Sequence, residues 1–338
     1  SIFLNSQNHP GGVIGSEVWY IANIDGIDSG EYLNSAQTDI LINKCNDHET
    51  DLFNFNPSIY TDKLCLNYYA PLENSTGRDV FFVGEPYKGN TYSYSHLGTL
   101  WNQDLAGSFQ ADSIIRNFFD FNNKSFFAKK ITGNYTSDQI ARINFYHTNY
   151  YNIDKKFKSY GEKGETVFIL GDLTNIDPDE DYDDNNFYGS FPEFISFPRE
   201  LSRNERNRVE SYLALKYGLT LSENVSYLNS GNIIFWNKDN NNLFNNRIFG
   251  MGKDDKSGLN QLQSESTHLK EHLISAIDDV LETNKEKQEE TEIANNHFLV
   301  FGDNGGKPDF LLENDKGIKF WEKVWLAQRT GKEVEKLS

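Results

Sequence analysis

The chain has 338 residues, with 32 Lys plus Arg against 50 Asp plus Glu, for a formal net charge of −18. That balance repels a phosphate backbone and no basic stripe interrupts it, so nucleic acid is excluded as a partner. No apolar stretch reaches the roughly 18 residues that a spanning helix needs, so membrane insertion is not expected either.

Hydrophobic residues make up 37% and aromatics 14%, with 25 Phe and 18 Tyr, which is ample for packed cores rich in strand formers. The length points to two domains. The N-terminal "SIFLNSQNHPGG" lacks a basic segment followed by a long apolar one. It is not an intact signal peptide, although a mature start left after cleavage has this look. Cys45 and Cys65 stand 19 residues apart. An even pair in a turn-rich chain fits a disulfide of an oxidising compartment, and two buried thiols fit as well.

The first 200 residues read as short strands broken by turn chemistry. "GSEVWYIAN" (15–23) is the first, and "DVFFVGEPY" (79–87) suits a central strand covered on both faces. "KSFFAKKI" (124–131), "ARINFYHTNY" (141–150), "ETVFILGD" (165–172) and "YGSFPEFISF" (188–197) follow. Such spacing predicts an all-β sandwich or barrel.

A helix comes next. Ser202 and Glu205 spell a capping box, Val209, Tyr212, Leu213 and Tyr217 form an apolar stripe, and Gly218 ends it. Arg203, Glu205, Arg206, Arg208 and Glu210 are expected on the other faces, and the stripe is expected to clasp the preceding sandwich.

Strand signals return at "GNIIFWN" (231–237), "NNRIFGMG" (245–252), "HFLVFGDNGG" (297–306) and "IKFWEKVWLAQ" (318–328). "HLKEHLISAIDDVLE" (268–282) fits helix or strand, with its β neighbours favouring strand. The polar "ETNKEKQEETEIANN" (282–296) is predicted to be a mobile loop. The chain stops soon after a strong strand pattern, as a cut before or near the end of the second domain would.

"FPEFISFPRELSRNERNRVESYLALKYGLTL" resembles a junction in large secreted and surface proteins of the Bacteroidota. There a LamG-like, concanavalin-type jelly roll ends in a strand, a short helix follows, and a β-rich domain of uncharacterised function begins. "PGGVIGSEVWYIAN" (10–23), "IFGMGKDDKSGLNQLQS" (248–264) and "FLVFGDNGG" (298–306) are similar to further signatures of that family. The likeness is strong from 188 to 264, whereas 24–187 matches only in strand character. It implies a LamG-like jelly roll over 10–200, a connecting helix over 201–218 and all or part of a second β-rich domain over 219–338. It also implies a secreted or cell-surface location within a larger parent chain, with type IX secretion as the export route of many relatives.

Several constellations carry chemistry as well as a plainer reading. "DPDEDYDDNN" (177–186) offers Asp177, Asp179, Asp181, Asp183 and Asp184 as oxygen ligands for Ca2+. It is not an EF-hand, since the sixth position is Tyr182 and the twelfth Tyr188, and a solvated acidic loop explains it too. "YKGNTYSYSHLGTLWN" (87–102) interleaves aromatics with amides. Tyr92, Tyr94, Trp101 and Asn102 would suit a sugar ring, and ordinary strand packing also explains the pattern. "NFYHTNYYN" (144–152) takes the same two readings. "DSI" (112–114) resembles a bacterial O-glycosylation acceptor centred on Ser113.

Catalytic patterns are weaker. No E-x-D-x-E strand, G-x-S-x-G elbow or glycine-rich phosphate loop is present. His268 and His272 lack the H-E-x-x-H order. "GDNGG" (302–306) and "KDDKSG" (253–258) read as turns.

The sequence therefore predicts a mostly β, non-enzymatic binding or adhesion module for a glycan or surface protein. Its alternatives are a structural spacer and, less well supported, a polysaccharide hydrolase with a carboxylate pair roughly 5–10 Å apart.

Overall fold

The computed structural model describes residues 8–16, 18–23, 31–34, 43–44, 49–61, 65–70, 77–86, 99–102, 112–113, 125–132, 140–147, 152–158, 166–171, 189–197, 199, 201–221, 225–265, 273–307, 311–317 and 319–331. The protein is mostly β, as its strand-forming composition predicts, and its described residues hold two α-helices. The chain divides into two compact units. One comprises Gly15–Phe53 and Pro57–Leu201, here the N-terminal unit. The other comprises Ser1–Ile14, Asn54–Asn56 and Ser202–Ser338, the C-terminal unit.

The strands of the N-terminal region are β1 (Val18–Asn23), β2 (Glu31–Asn34), β3 (Asn43–Lys44), β4 (Glu49–Phe53), β5 (Asn56–Thr61), β6 (Cys65–Ala70) and β7 (Gly77–Pro86). They continue with β8 (Thr99–Asn102), β9 (Asp112–Ser113), β10 (Ser125–Thr132), β11 (Ile140–His147), β12 (Asn152–Lys158), β13 (Thr166–Gly171) and β14 (Gly189–Phe197). One sheet runs β12-β11-β10-β7-β14-β1-β2, with β5 also on β14 and β4 on β5, and a second runs β3-β6-β13-β8-β9. The ladders from β6, β7 and β14 to their neighbours are antiparallel, as suits strands joined by turns.

β1 and β14 show why this sheet needs apolar residues at consecutive positions. Trp19 pairs with Ile195 and Tyr20 with Phe194. All four are buried, so both faces of these strands are covered. The Tyr20 and Phe194 rings stack at 6.5 Å, and Phe81 meets Phe197 edge-on at 6.1 Å. Burial pushes the Tyr20 hydroxyl well above the usual phenol range. Two acids share this interior: Glu193 accepts from Trp19 Nε1 at 2.6 Å, and Asp79 accepts from Leu201 N at 2.6 Å.

The C-terminal unit contains helix α1 (Arg203–Tyr217), β15 (Tyr227–Leu228), β16 (Ile234–Trp236), β17 (Asn246–Asp254), β18 (Leu259–Gln261), β19 (Gln263–Glu265) and β20 (Ile274–Ala276). Helix α2 (Asn284–Glu290), β21 (His297–Asp303), β22 (Leu311–Glu313), β23 (Lys319–Trp321) and β24 (Trp325–Thr330) complete it. Its main sheet is antiparallel, in the order β18-β17-β21-β24. Phe235 stacks on Phe298 at 4.4 Å, while Phe249 stacks on Phe301 at 5.3 Å and meets Trp325 edge-on at 5.6 Å.

α1 carries both halves of its capping box, with Ser202 as N-cap and Glu205 reaching back, and it stops at Gly218 in the left-handed region (φ 63°). The expected stripe is buried. So are Glu210, Ser211, Ala214 and Leu215, so burial runs around the helix rather than along one face. Glu210, expected on an outer face, instead lies 3.8 Å from Arg206 one turn back.

Within its unit, α1 packs against β15, β17, β18 and a 3-10 turn at Pro10–Gly12. That turn explains the "PGG" of the N-terminus. Gly11 has φ 61°, and a Cβ there would lie 2.5 Å from Val209 N on the helix backbone.

One other expectation is corrected. The polar 282–296 segment holds α2, capped by a box of Thr283 and Glu286, a T-x-x-E spacing that the charge density obscured. The strand signal of "IKFWEKVWLAQ" resolves into two strands, β23 and β24.

Gly11→Ala should destabilise the protein by roughly 1–3 kcal/mol, because both φ and space forbid the methyl. Urea unfolding of the whole chain measures this, and an unchanged midpoint contradicts the packing described.

Candidate functional site

The expected binding residues do not form one described site. Trp101 and Asn102 lie in β8, paired with Val167 and Thr166 of β13, so their backbone is sheet rather than loop. Tyr92 and Tyr94 lie outside the described residues, as do Asp177, Asp179, Asp181, Asp183, Asp184, His268 and His272. Ser113 closes the short strand β9. Cys65 begins β6, whereas Cys45 lies outside the described residues. Among the described residues, no group of three or more His, Cys, Asp or Glu side chains is placed to hold a metal ion.

The best-organised polar cluster belongs to the C-terminal unit and was not singled out from sequence. β4 and β5 are joined by Asn54-Phe55, with φ 52° and 62°, the sign pattern of a type I′ hairpin turn. Asn54 Nδ2 donates to the Lys216 carbonyl at 2.9 Å, and Asn56 Nδ2 donates to the same oxygen at 2.8 Å. That carbonyl belongs to the last turn of α1, where no intrahelical donor is available.

The surrounding groups complete the cluster. Asn54 Oδ1 accepts from Glu265 N at 2.8 Å, and Ser264 Oγ lies within reach of both Asn54 side-chain atoms, at 3.0 and 3.2 Å. Gln261 Nε2 donates to Asn54 O at 3.1 Å and to Gln263 O at 2.8 Å, while its Oε1 accepts from Asn56 Nδ2 at 3.1 Å. Asn284, the first residue of α2, donates its backbone N–H to Phe55 O at 2.8 Å. Its Oδ1 accepts from Leu262 N and Gln263 N at 3.0 and 3.3 Å. Gln263 is bonded both ways to the Leu281 backbone.

The Q-x-Q-S of "LNQLQS" is therefore the wall of a buried amide cluster. Amides and a hydroxyl bind and position; none titrates near neutrality or supplies a nucleophile activated by a base.

Acidic groups are similarly occupied. Asp254 accepts from Ser230 N at 2.7 Å and Ser230 Oγ at 2.6 Å, and the Ser230 carbonyl in turn accepts from Arg208 Nη1 at 2.8 Å. Asp303 is held by both arms of Arg247 and accepts from Gly305 N at 2.7 Å. "GDNGG" is thus more than a turn. Its Asn304 ties to the 322–324 backbone through Glu322 O at 2.9 Å and Val324 N at 3.0 Å.

Lys253 contacts Glu292 at 2.6 Å and Asp255 at 3.8 Å. The hydrogen bond to Glu292 holds the Lys253 amine above its ordinary range and the Glu292 carboxyl below its own. Glu292's contribution is therefore present above the ordinary carboxylate range and lost as pH falls through its folded value. Lys253's is present below the ordinary amine range and lost as pH rises through its folded value. The carboxylate is exposed, so the pair contributes little.

Residues 205–338 match the model of a domain of unknown function, DUF8202. No curated protein matches the chain. Among solved structures, a Trypanosoma rangeli sialidase in complex with sialic acid aligns with a TM-score of 0.34 and 8% identity over 57% of this chain. The chain spans 32% of that sialidase.

Asp303→Ala should cost roughly 3–5 kcal/mol, because it leaves the part-buried Arg247 charge without its partner. Denaturant unfolding of the full chain reads this, and a loss below about 1 kcal/mol would show the pair to be incidental.

Proposed function

We propose that the chain is an extracellular, surface-associated binding or adhesion module, with a glycan as its ligand, and that it performs no chemistry. The observation that carries this reading is the occupation of its acids. Five carboxylates are buried among the described residues: Asp79, Glu193, Glu210, Asp254 and Asp303. Each has a partner in the scaffold, namely Leu201 N, Trp19 Nε1, Arg206, Ser230 and Arg247 respectively. A glycosidase needs carboxylates facing a substrate cleft, and these five are hydrogen-bonded or paired to their own fold.

A LamG-like jelly roll in the N-terminal unit belongs to the same proposal, supported by its two β-sheets and by the resemblance of 188–264 to Bacteroidota surface proteins. The same resemblance supports a surface location and export by type IX secretion. Aromatics and amides of the 87–102 segment would meet the sugar, and the 177–184 acids would hold Ca2+. Affinity per module would be modest and raised by multivalency.

The spacer reading has one observation in its favour. The densest polar cluster described is turned inward and hydrogen-bonded to itself, as a purely structural part would be.

The full chain on a glycan array, with a parallel assay for released reducing ends, separates these readings. Saturable binding without release supports the proposal. Binding to no glycan favours the spacer, and turnover contradicts the non-catalytic reading. Calorimetric titration with Ca2+ should give heat at a defined stoichiometry, and its absence at millimolar Ca2+ removes the metal from the proposal.

A further inference from the structure

We infer that the C-terminal unit carries a receptor site for an asparagine-bearing β-turn, filled in this chain by Asn54-Phe55-Asn56. The region matching the domain of unknown function begins at residue 205. The turn it binds lies some 150 residues earlier in sequence, yet belongs to the same compact unit.

The turn is read atom by atom. Its three residues present two side-chain amides and the carbonyls of Asn54 and Phe55. All four groups meet partners, and three elements of the unit supply those partners. The end of α1 supplies the Lys216 carbonyl, the Gln261–Glu265 strip supplies both ends of the Gln261 amide and the Glu265 backbone donor, and the start of α2 supplies Asn284. Three elements distant in sequence converge on one turn, and generic packing has no need of that arrangement.

The chemistry selects the turn's residues. The Lys216 oxygen lies at the negative end of a helix and wants donors without negative charge. Asn56 Nδ2 faces three acceptors: Lys216 O, Asn54 O and Gln261 Oε1. An aspartate there would set a carboxylate against all three. At the first turn position the backbone needs positive φ, which Asn tolerates better than most residues, and only Asn adds an amide to that tolerance. Phe55 at φ 62° is a strained choice for a bulky side chain, and such strain persists where the surroundings over-determine it. The hydrogen bond from Asn284 N to Phe55 O is one such constraint. The partner that fits is therefore a two-residue hairpin turn of the form Asn-x-Asn.

Residue-resolved hydrogen exchange on the full chain tests this. In the wild type, the Glu265 and Asn284 amides, which donate to Asn54 Oδ1 and Phe55 O, should be slowed at least about a hundredfold relative to unprotected chain. Asn54→Gly keeps positive φ and relaxes the turn, yet removes an amide. It should speed exchange at both positions by roughly tenfold to a hundredfold while Phe298 and Val300 of β21 keep their protection. Asn56→Asp should speed them more than Asn56→Ala, because charge is repelled as well as the donor lost.

Unprotected Glu265 and Asn284 amides in the wild type would overturn the inference. So would Asn54→Gly and Asn56→Asp leaving both rates unchanged, or Asp and Ala at position 56 proving equivalent. Should a position 56 variant fail to fold, the wild-type and Asn54→Gly measurements still decide.

Discussion

The end of a helix is the constraint on which the C-terminal unit turns. An α-helix leaves its last carbonyls without intrahelical donors, and burying them unpaired costs about as much as a lost hydrogen bond. α1 is buried around its circumference over its second half, so water cannot serve freely as that donor. The chain answers in two ways. Gly218 turns left-handed so that Leu219 N reaches Ala214 O at 2.8 Å, and two asparagine amides converge on the Lys216 oxygen. Once those amides are in place, the positions of Gln261, Ser264 and Asn284 are fixed by the bonds they must make. The strained turn, the Q-x-Q-S strip and the first residue of α2 all serve the donors of one part-buried carbonyl.

The same helix accounts for features that look unrelated in the sequence. The "PGG" near the N-terminus is a turn thin enough to lie against the Arg208–Val209 backbone. Ser211 accepts from Leu228 N at 2.9 Å, and Arg208 holds the Ser230 carbonyl. Asp254, in the "KDDKSG" segment, fastens Ser230 from its other side. Signatures scattered from residue 10 to residue 264 are thus parts of one packing arrangement around α1. This explains how stretches far apart in the sequence serve one structural purpose.

Much of the fold was legible because its signals are local. The capping box, the stripe and the stop of α1 are set by neighbours in sequence, and so are the long strands β7, β10, β11, β13 and β14. The errors also have physical causes. Glu210 is charged, and its place inside follows from what surrounds the helix rather than from its spacing. α2 was hidden because a polar segment without an apolar stripe gives no helical period, although Thr283 and Glu286 marked its start. The amide cluster was illegible for a deeper reason. "FNFN" lacks the Asn-Gly that announces a hairpin, and its partners lie more than 150 residues away, where no local pattern can point. The aromatics and acids conspicuous by composition lie mostly outside the described residues, and what the described structure brings together is an amide cluster beside acids paired within the fold.

Side-chain NMR of Asn54 and Asn56 in the full chain, assigned by substitution, tests the central claim most directly. If both amides cap α1, their NH2 protons exchange slowly, resonate apart from the solvent-exposed amide envelope and show cross-relaxation to protons of Lys216 and Tyr217. Degenerate, rapidly exchanging NH2 signals with no contact to the helix end would contradict the account.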